Sequence, residues 1–301
     1  MPLDLAIVPV AGLGTRLLPA TKSQPKEMLP VGRRPVVQYV VEELKESGIK
    51  RILFITGYGK SSIEDFFDVN HQLVKHLRES GKEEHLAELA FERNQVQYAY
   101  TRQREQLGLG HAVLIGEPFV GRQPFVVALG DSIIGMHAKS RIVERMIEEY
   151  ERSQADVVVA FEELTDPREV VHYGVAKPRG PISNDIFELE SLVEKPAIDE
   201  APSNLAVAAR YVFSPAIFEA LEQTDRGKGG EIQLTDAMQR VLREGGKGIG
   251  IRLPSTEPRF DIGNFESYFR AFVDFSLSDP QFGDGLRTYL REKLDSEEGV
   301  S

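Results

Sequence analysis

The sequence predicts an α/β fold: a Rossmann-like, mixed but mostly parallel central sheet that is flanked by helices. Two observations support this prediction. Short apolar runs alternate with segments of helical periodicity along the first 150 residues, and a glycine-rich turn directly follows the first apolar run. Helices cover both faces of such a sheet, so we expect ligands to bind beyond the carboxyl ends of its strands.

Strands and helices alternate in the first half of the chain. Compact apolar runs predict strands at 5–10, 51–56, 96–100 and 124–129. Apolar residues recur at helical spacing from Val36 to Leu44 and predict a helix that Gly48 closes. The remaining helical segments are a polar, helix-prone insert at about 61–90 and helices at 108–117 and 137–152.

Strands become more frequent from residue 155 onward. The predicted strands are 156–161, 174–177, 186–193 and 206–213. The predicted helices are 214–223, 235–245 and 265–277. Glycine and proline predict loops at 178–185 and 224–230, and residues 279–301 suggest one amphipathic helix with a frayed acidic tail.

The composition argues against several classes of protein. The 301 residues include 41% hydrophobic and 28% charged residues, as in ordinary soluble globules. The absence of cysteine excludes disulfides and thiolate metal sites and fits a cytoplasmic protein. A net charge of −11 argues against nucleic acid as a partner. We expect no membrane helix, because no apolar run approaches roughly 18 residues, and no signal peptide at Met1–Asp4, which has no basic flank.

A glycine turn, residues 12–16, follows the first predicted strand. Gly12 and Gly14 let the backbone approach a ligand and point N–H groups at phosphate oxygens, and Arg16 adds a forked donor. Lys26 lies ten residues further on, between two prolines, which predicts a stiff extended segment. This combination indicates a site for a polyphosphate.

Two familiar nucleotide motifs do not fit this chain. A dinucleotide fingerprint needs a third glycine where Leu17 stands. A Walker loop needs a glycine five residues before its Gly-Lys pair, but Phe54 precedes Gly59-Lys60 at that distance. Leu17 therefore argues against a nicotinamide-dependent oxidoreductase, and the phosphate site must be of another kind.

Two aspartates lie next to predicted elements. Asp131 follows the apolar run 124–129, and Asp261 precedes the predicted helix 265–277. Each aspartate has two interpretations. It could cap the next helix, or it could bind Mg²⁺, which prefers one or two carboxylates together with phosphate oxygens and water. The residues alone leave both interpretations open.

Residues 11–31, AGLGTRLLPATKSQPKEMLPV, resemble the signature of the sugar-phosphate nucleotidyltransferases. Further segments resemble the same family in the same order, and the resemblance covers about residues 3–275. These segments are RQREQLGLGHAV, VHYGV, VEKP, PSNLAVAARYVF, GEIQLTDA and RFDIGN. Several such segments in order are far more specific than a single glycine turn.

The resemblance is strongest to bacterial members that transfer a uridylyl group from UTP to α-D-glucose 1-phosphate, giving UDP-glucose and pyrophosphate. It implies Mg²⁺ as a cofactor, UTP and glucose 1-phosphate as small-molecule partners, and a homodimer or homotetramer. It implies a catalytic domain at 1–278, with a nucleotide-binding part at about 1–150 and a sugar-phosphate part at about 151–278. Residues 279–301 would form a C-terminal helix and acidic tail.

The resemblance also assigns residues to the nucleotide. The turn residues that would bind the triphosphate are Ala11, Gly12, Gly14, Thr15 and Arg16. Lys26 would contact the α-phosphate and the departing pyrophosphate. Gln103 and Gly108 match family positions that read the uracil edge, with Gln106 as a rival for the glutamine. We interpret His111 as a packed histidine rather than an acid or base.

The remaining assignments concern the metal and the sugar phosphate. By resemblance, Asp131 and Asp261 hold the metal, Lys195 the sugar phosphate and Glu194 the sugar hydroxyls. The other matching positions near the sugar phosphate are Gly174, which faces the sugar, and Asn204, Arg210 and Tyr211. Residues 230–237 would form the edge of the sugar site without a catalytic role. The family usually has Leu-Pro-Asp before the first metal ligand; Gly130 replaces the proline, and we expect a changed loop rather than changed metal binding.

Other functions remain open at this stage. A transferase that uses dTTP or another sugar 1-phosphate would share these segments, because thymine and uracil have the same pairing edge. A regulatory subunit could bind a nucleotide sugar without turnover. Such a subunit should lack one of the four charged groups Lys26, Asp131, Lys195 and Asp261, but all four are present.

Overall fold

The computed structural model describes residues 3–93 and 95–298. A nine-stranded sheet runs through them, and two two-stranded sheets lie beside it. The strands are β1 Leu5–Pro9, β2 Pro30–Val31, β3 Arg34–Pro35, β4 Arg51–Thr56, β5 Gln97–Arg102, β6 Phe125–Ala128, β7 Ser132–Ile134, β8 Val157–Glu163, β9 Gly174–Ser183, β10 Ile186–Glu194, β11 Leu205–Phe213, β12 Gly248–Arg252 and β13 Arg259–Asp261. The helices are α1 Val36–Glu46, α2 Ser61–Phe67, α3 His71–Glu79, α4 Leu109–Ile115, α5 Glu117–Val120, α6 Ile142–Ser153, α7 Ala216–Glu222, α8 Leu234–Arg243, α9 Phe265–Leu277 and α10 Gly283–Glu298.

The large sheet has the strand order β5-β4-β1-β6-β11-β8-β12-β10-β9. Strands β5, β4, β1 and β6 are parallel to one another, and β12 is parallel to β8. Strands β10 and β11 run against their neighbours, so seven strands point one way and two the other. The predicted mixed, mostly parallel sheet is therefore confirmed.

A hydrophobic core lies under each face of the sheet. Alternate residues of a strand point to opposite faces, and β1 shows the consequence. Ile7 packs into one core with α4, α7 and α8, whereas Ala6 and Val8 pack into the other with α1, α2 and α6. Burial on both faces explains why β1 reads as a continuous apolar run in the sequence.

Strand β12 of the large sheet was not predicted from the sequence. Gly248 and Gly250 lie in this strand and resemble loop residues in the sequence. A Cβ atom at Gly250 would lie 2.2 Å from the ring of Phe187 on the adjacent β10, so the glycine makes room for that ring. The glycines are thus a packing requirement of the strand rather than a turn signal.

The predicted helix at 137–152 is shorter than expected. Residues 132–134 form β7, and a 3-10 turn at Met136–Ala138 separates it from α6, which begins only at Ile142. The predicted loop at 178–185 is also largely wrong, because β9 continues to Ser183. The helix-prone insert contains α2, α3 and a 3-10 segment at Glu83–Arg93.

The two predicted parts of the catalytic domain share one sheet. Strand β6, before residue 150, pairs with β11 after it along Phe125–Ala128. The division at about residue 150 therefore remains a functional prediction and does not correspond to a break in the sheet. Within 3–93 and 95–298, the structure contains no helix long and apolar enough to cross a membrane.

Candidate active site

Two adjoining cavities open at the carboxyl edge of the parallel strands, as expected for this fold. Their volumes are about 430 and 420 Å³. The first cavity is bordered by the segments that follow β1, β5 and β6, and the second by β9, β10 and β11. The residues common to both are Arg16, Lys26, Leu109, Leu129, Asp131 and Glu231. The charged side chains of Arg16, Lys26, Asp131 and Glu231 therefore lie at the junction of the two cavities.

The glycine turn forms one wall of the first cavity, and Ala11 and Thr15 line it as well. Gly14 has a φ of 67°, in the left-handed region, and a Cβ atom there would lie 3.2 Å from the side chain of Thr21. The Thr21 hydroxyl donates a 2.7 Å hydrogen bond to the Gly14 carbonyl and fixes the turn. The position thus favours glycine for both its backbone angle and its space.

Lys26 reaches across the turn to the junction of the cavities. It begins a 3-10 turn at Lys26–Met28, so the predicted extended segment is wrong at this residue. A Cβ atom at Gly12 would lie 3.9 Å from the Lys26 amino group, and that group forms an ion pair with Asp131. Burial alone would lower the pKa of Lys26, but Asp131, Glu27 and Asp261 outweigh burial and raise it. Lys26 is therefore a fixed positive charge.

The two aspartates are brought together by a β-ribbon that the sequence analysis did not predict. Strand β7 pairs with β13, which places Asp261 opposite Ser132. The backbone N–H of Ile262 donates a 2.9 Å hydrogen bond to the Asp131 carbonyl. The capping interpretation fails for both aspartates, because Asp131 precedes a strand and the cap of α9 is Asn264.

The two carboxyl groups differ in their electrostatics. Burial raises the pKa of Asp131, but the neighbouring Lys26 outweighs burial and holds this pKa below its usual value. Burial and the adjacent Asp131 carboxylate together raise the pKa of Asp261. One carboxylate is thus neutralised by a lysine, whereas the other lacks full compensation and would gain from a nearby cation.

This pair of aspartates fits a hard divalent cation. Mg²⁺ is held in nucleotide sites by one or two carboxylates, with substrate phosphates and water as the other ligands. Asp131 supplies one carboxylate at the junction of the cavities, and Asp261 supplies a second one in the adjoining wall of the second cavity. Within the described part of the chain, no cluster of three or more His, Cys, Asp or Glu residues could hold a metal without other ligands. The donor set therefore matches a cation that arrives with phosphates.

The far end of the first cavity is lined by Gln103, Gln106 and Gly108. The Gln103 amide donates a 3.0 Å hydrogen bond to the Gly108 carbonyl and lies 3.1 Å from Nδ1 of His111. Burial lowers the pKa of His111, which keeps the ring neutral near pH 7. The structure thus places His111 as a support of Gln103, in line with its interpretation as a packed residue.

The second cavity holds the residues predicted for the sugar phosphate. A Cβ atom at Gly174 would lie 3.2 Å from Oε2 of Glu194, so the absence of a side chain opens space beside this carboxylate. Lys195 has a φ of 46°, and its N–H donates a 2.9 Å hydrogen bond to Tyr173. Its amino group lies 3.2 Å from Oε1 of Glu194. Left-handed backbone is costly for lysine and here accompanies a side chain that lines the cavity.

The structure does not bring two predicted residues to either cavity. The predicted place of Arg210 beside the sugar phosphate is wrong. Its side chain is fully buried and forms an ion pair with Glu43, so it cannot touch a ligand in the second cavity. Asn204 directly precedes β11, and its amide donates a 3.2 Å hydrogen bond to the Leu164 carbonyl. Its neighbour in the prediction, Tyr211, does line the cavity.

Sequence reasoning missed two charged residues that line the cavities. Glu27 is buried in the wall of the first cavity and accepts a 2.9 Å hydrogen bond from Lys60. Arg259 lines the second cavity, where its Nε donates a 2.8 Å hydrogen bond to Glu162. The central carbon of its guanidinium lies 4.7 Å from the ring centre of Tyr173. Glu27 lies in PKEMLP and Arg259 in RFDIGN, the segments that also supply Lys26 and Asp261, so their position beside predicted site residues could have indicated them.

The fold and the site together define a class of enzyme. The first cavity is lined by a glycine turn of the kind that binds phosphates. It adjoins the second cavity where Arg16, Lys26 and Asp131 lie. Such a site suits the transfer of a nucleotidyl group to a second small molecule. A model of the nucleotidyl transferase family matches residues 5–276. The chain therefore belongs to the nucleotidyl transferase family.

Relatives of this chain have more specific names within the nucleotidyl transferase family. The chain is 44% identical over 292 residues to UTP–glucose-1-phosphate uridylyltransferase YngB of Bacillus subtilis (strain 168), covering 97% of this chain and 96% of the relative. It is 42% identical over 265 residues to the UTP–glucose-1-phosphate uridylyltransferase of Pseudomonas aeruginosa, covering 88% and 93%.

Solved structures give the same picture. A crystal structure of UDP-glucose pyrophosphorylase complexed with UDP-glucose matches with a TM-score of 0.81 and 37% identity, covering 91% of this chain and 98% of that one. A UTP-bound UGPase from Acinetobacter baumannii matches with a TM-score of 0.87 and 36% identity, covering 96% and 99%. Identity above a third over nearly the whole length extends the likeness beyond the fold to the sequence.

Proposed function

We propose that this enzyme transfers a uridylyl group from UTP to α-D-glucose 1-phosphate and releases UDP-glucose and pyrophosphate. One observation carries the proposal: Arg16, Lys26 and Asp131 border both cavities at once. A group transferred between two ligands must pass through such a junction. The names of the relatives support the choice of UTP and glucose 1-phosphate as the two ligands.

The first cavity would hold UTP. The backbone of Ala11, Gly12, Gly14 and Thr15 would surround the phosphates, with Arg16 as a charged donor. The amide oxygen of Gln103 would accept from the N–H of the uracil edge, since both amide hydrogens point at Gly108 and His111. The close backbone at Gly108 would leave room for the ring. Because Gln103 is held by Gly108 and His111, little side-chain entropy remains to be lost on binding.

The second cavity would hold glucose 1-phosphate. Glu194 would accept hydrogen bonds from sugar hydroxyls beside Gly174, and Lys195 would bind the phosphate. The second cavity extends to the junction with the first. The sugar phosphate would therefore enter with its oxygens facing the α-phosphorus of UTP.

The reaction would proceed by in-line displacement. A phosphate oxygen of glucose 1-phosphate forms a bond to the α-phosphorus, and the bond from that phosphorus to the oxygen bridging to the β-phosphate breaks, which releases pyrophosphate. The attacking phosphate is already largely ionised at neutral pH, since its second pKa is about 6, so no general base is needed. No histidine is therefore assigned a step: His111 supports Gln103, and His172 only lines the second cavity.

The chain's own residues would supply positioning and charge. Lys26 would hold the α-phosphate and stabilise the departing pyrophosphate, Arg16 would hold the triphosphate, and Lys195 would hold the incoming phosphate. Asp131 and Asp261 would hold Mg²⁺, which, when bound, offsets the repulsion between the two polyanionic substrates. The ion pair between Lys26 and Asp131 holds both groups at the junction.

The test is pyrophosphate release from UTP and dTTP against a panel of sugar 1-phosphates, with Mg²⁺ and with a chelator. We expect turnover with UTP and glucose 1-phosphate that the chelator abolishes. Faster turnover with dTTP would instead make the enzyme a thymidylyltransferase. Nucleotide-sugar binding without any pyrophosphate release would make the chain a regulatory subunit.

A further inference from the structure

Arg210 lies in the middle of β11, where every residue from Leu205 to Phe213 is buried. It is the largest fully buried side chain in the described part of the protein. Burying a charged pair is expensive, and replacing such a pair with well-packed apolar residues is often neutral or stabilising. The charge at this position therefore calls for an explanation other than stability.

The guanidinium of Arg210 connects three separate parts of the chain. Its Nε donates a 3.0 Å hydrogen bond to Oε2 of Glu43, which belongs to α1. One terminal nitrogen donates a 3.0 Å hydrogen bond to the carbonyl of Ala209, and the other donates a 2.9 Å hydrogen bond to the carbonyl of Ser132. Ser132 directly follows Asp131. The arginine thus reaches from a helix through β11 to the backbone beside a proposed metal ligand.

The Ser132 carbonyl is part of the backbone that aligns the two aspartates. Ser132 lies opposite Asp261 in the pairing of β7 with β13. The carbonyl of Asp131, one residue earlier, accepts a hydrogen bond from Ile262, one residue after Asp261. A shift of the Ser132 backbone would therefore change the distance between the two carboxylates.

The Ala209 carbonyl belongs to an irregularity in β11 that lines the second cavity. The pairing of β11 with β8 shifts register between Val207 and Tyr211, and Ala209 has a φ of 60°. Its carbonyl also accepts a 3.1 Å hydrogen bond from the N–H of Leu129. Left-handed backbone in a non-glycine residue costs energy and needs fixed surroundings, and Arg210 supplies one of the bonds that fix it.

We propose that Arg210, held by Glu43, is a positioning residue that sets the spacing of the Asp131 and Asp261 carboxylates for a divalent cation without touching substrate. The inference rests on the metal role proposed above for these aspartates. Outer residues that orient metal ligands commonly change metal affinity by about 10- to 100-fold when they are replaced. A change of that size is the expected effect of losing the Arg210 bonds.

The main test uses the double variant Arg210→Met/Glu43→Met, which removes both buried charges together and leaves neither unpaired. Mn²⁺ binding is measured by electron paramagnetic resonance in the presence of UDP-glucose, and folding by thermal unfolding. We expect a folded protein whose Mn²⁺ affinity falls about 10- to 100-fold. A folded double variant with the affinity of the original protein would overturn the inference.

A second variant tests the inference if the double variant does not fold. Arg210→Lys keeps the buried charge and its pairing with Glu43, but a single ammonium cannot reproduce the forked contacts to Ala209 and Ser132. It should fold and still bind Mn²⁺ more weakly than the original protein. Unchanged Mn²⁺ affinity in folded Arg210→Lys would also count against the inference.

Arg51→Met is the matched control. Arg51 forms an ion pair with Asp4 at the amino end of β4, the edge opposite to the cavities. Its loss should leave Mn²⁺ affinity unchanged. Failure of the unmodified protein to bind Mn²⁺ or to form UDP-glucose would instead reject the proposed function, so the two failures are distinguishable.

Discussion

At the scale of single residues, Lys26 carries the most specific prediction. Its amino group lies at the junction of the cavities, where the α-phosphate and the departing pyrophosphate are expected. Lys26→Ala should lower turnover about a hundredfold or more, the usual scale for one preorganised electrostatic group. Steady-state pyrophosphate release measures this loss.

Lys22→Ala is the control for Lys26→Ala. Lys22 lies four residues earlier and is exposed to solvent, so its replacement removes the same charge from the same segment without altering the junction. We expect near-normal turnover for this variant. Near-normal turnover in a folded Lys26→Ala protein would contradict the role assigned to Lys26.

Asp261 should show a conflict between stability and function. Because its folded pKa is raised, the ionised carboxylate lowers the free energy of unfolding at neutral pH. This carboxyl group favours folding fully only below its unfolded pKa of about 3.9, and that contribution is lost as pH rises through the higher folded pKa. In a chelator at pH 7, Asp261→Asn should therefore unfold at a higher temperature, by about 2 °C for each kcal/mol gained, while turnover falls.

The gain should shrink as the pH approaches about 4, because the unmodified carboxyl group is then protonated as well. Thermal unfolding at pH 7 and at about pH 4 tests the sign of this change in unfolding temperature. Asp166→Asn is the control: hydrogen bonds from Arg168 lower the pKa of Asp166 to about 2, so its replacement should bring no gain at pH 7. A higher unfolding temperature for Asp261→Asn at pH 4 but not at pH 7 would contradict the prediction.

At the scale of elements, the sequence predicted the strands of the large sheet other than β12, but not the short ribbon that builds the site. Apolar runs such as that of β1 are buried on both faces, and their composition alone predicts them. Strands β7 and β13 have three residues each and pair across a long stretch of chain. Their pairing depends on tertiary contacts that no local pattern records, so the aspartates could be named but not placed together.

Arg210 shows a related limit of sequence reasoning. The family pattern placed it near the sugar phosphate, and the structure indeed places it behind the wall of that cavity. Whether a charged side chain points into a cavity or away from it depends on which face of the strand it occupies. The register shift in β11 changes that face locally, and the sequence does not reveal such a shift.

The loop before α4 gives a prediction for an element. Gly108 has a φ of 96°, and a Cβ atom there would lie 2.9 Å from the carbonyl oxygen of Ile232. Two hydrogen bonds join this loop to Ile232. The Ile232 N–H donates a 2.7 Å bond to the Leu107 carbonyl, and the Gly110 N–H donates a 2.9 Å bond to the Ile232 carbonyl. Gly108→Ala should force the loop and Ile232 apart and lower kcat/KM for UTP by about tenfold to a hundredfold, measured by steady-state kinetics.

Gly121→Ala is the matched control for this loop. Gly121 also has a positive φ, 63°, but a Cβ atom there would meet nothing within 4 Å. Both variants bear a backbone cost of about 1–3 kcal/mol for an alanine at a positive φ that favours glycine, and only Gly108→Ala adds a clash beside the cavity. Equal losses of kcat/KM in the two variants would show that backbone strain alone explains the effect.

At the scale of the whole molecule, the two cavities should respond to product as one site. UDP-glucose has a nucleotide part and a sugar part, and these would lie in different cavities that share the wall around Asp131. At a concentration of 100 times its Kd, a ligand of the folded state stabilises it by about 2.7 kcal/mol. UDP-glucose with Mg²⁺ should therefore raise the unfolding temperature.

Hydrogen exchange can locate this stabilisation. With UDP-glucose bound, we expect slower exchange both in the glycine turn at 12–16 and in the segments around Gly174 and Lys195, because the ligand covers the backbone at each end. UMP should slow exchange in the turn alone, since it lacks the sugar part. The two patterns separate a site that spans both cavities from a nucleotide pocket with an unrelated neighbour. Protection by UDP-glucose confined to the turn would leave the second cavity without its proposed ligand and would reject the transfer of a uridylyl group across the shared wall.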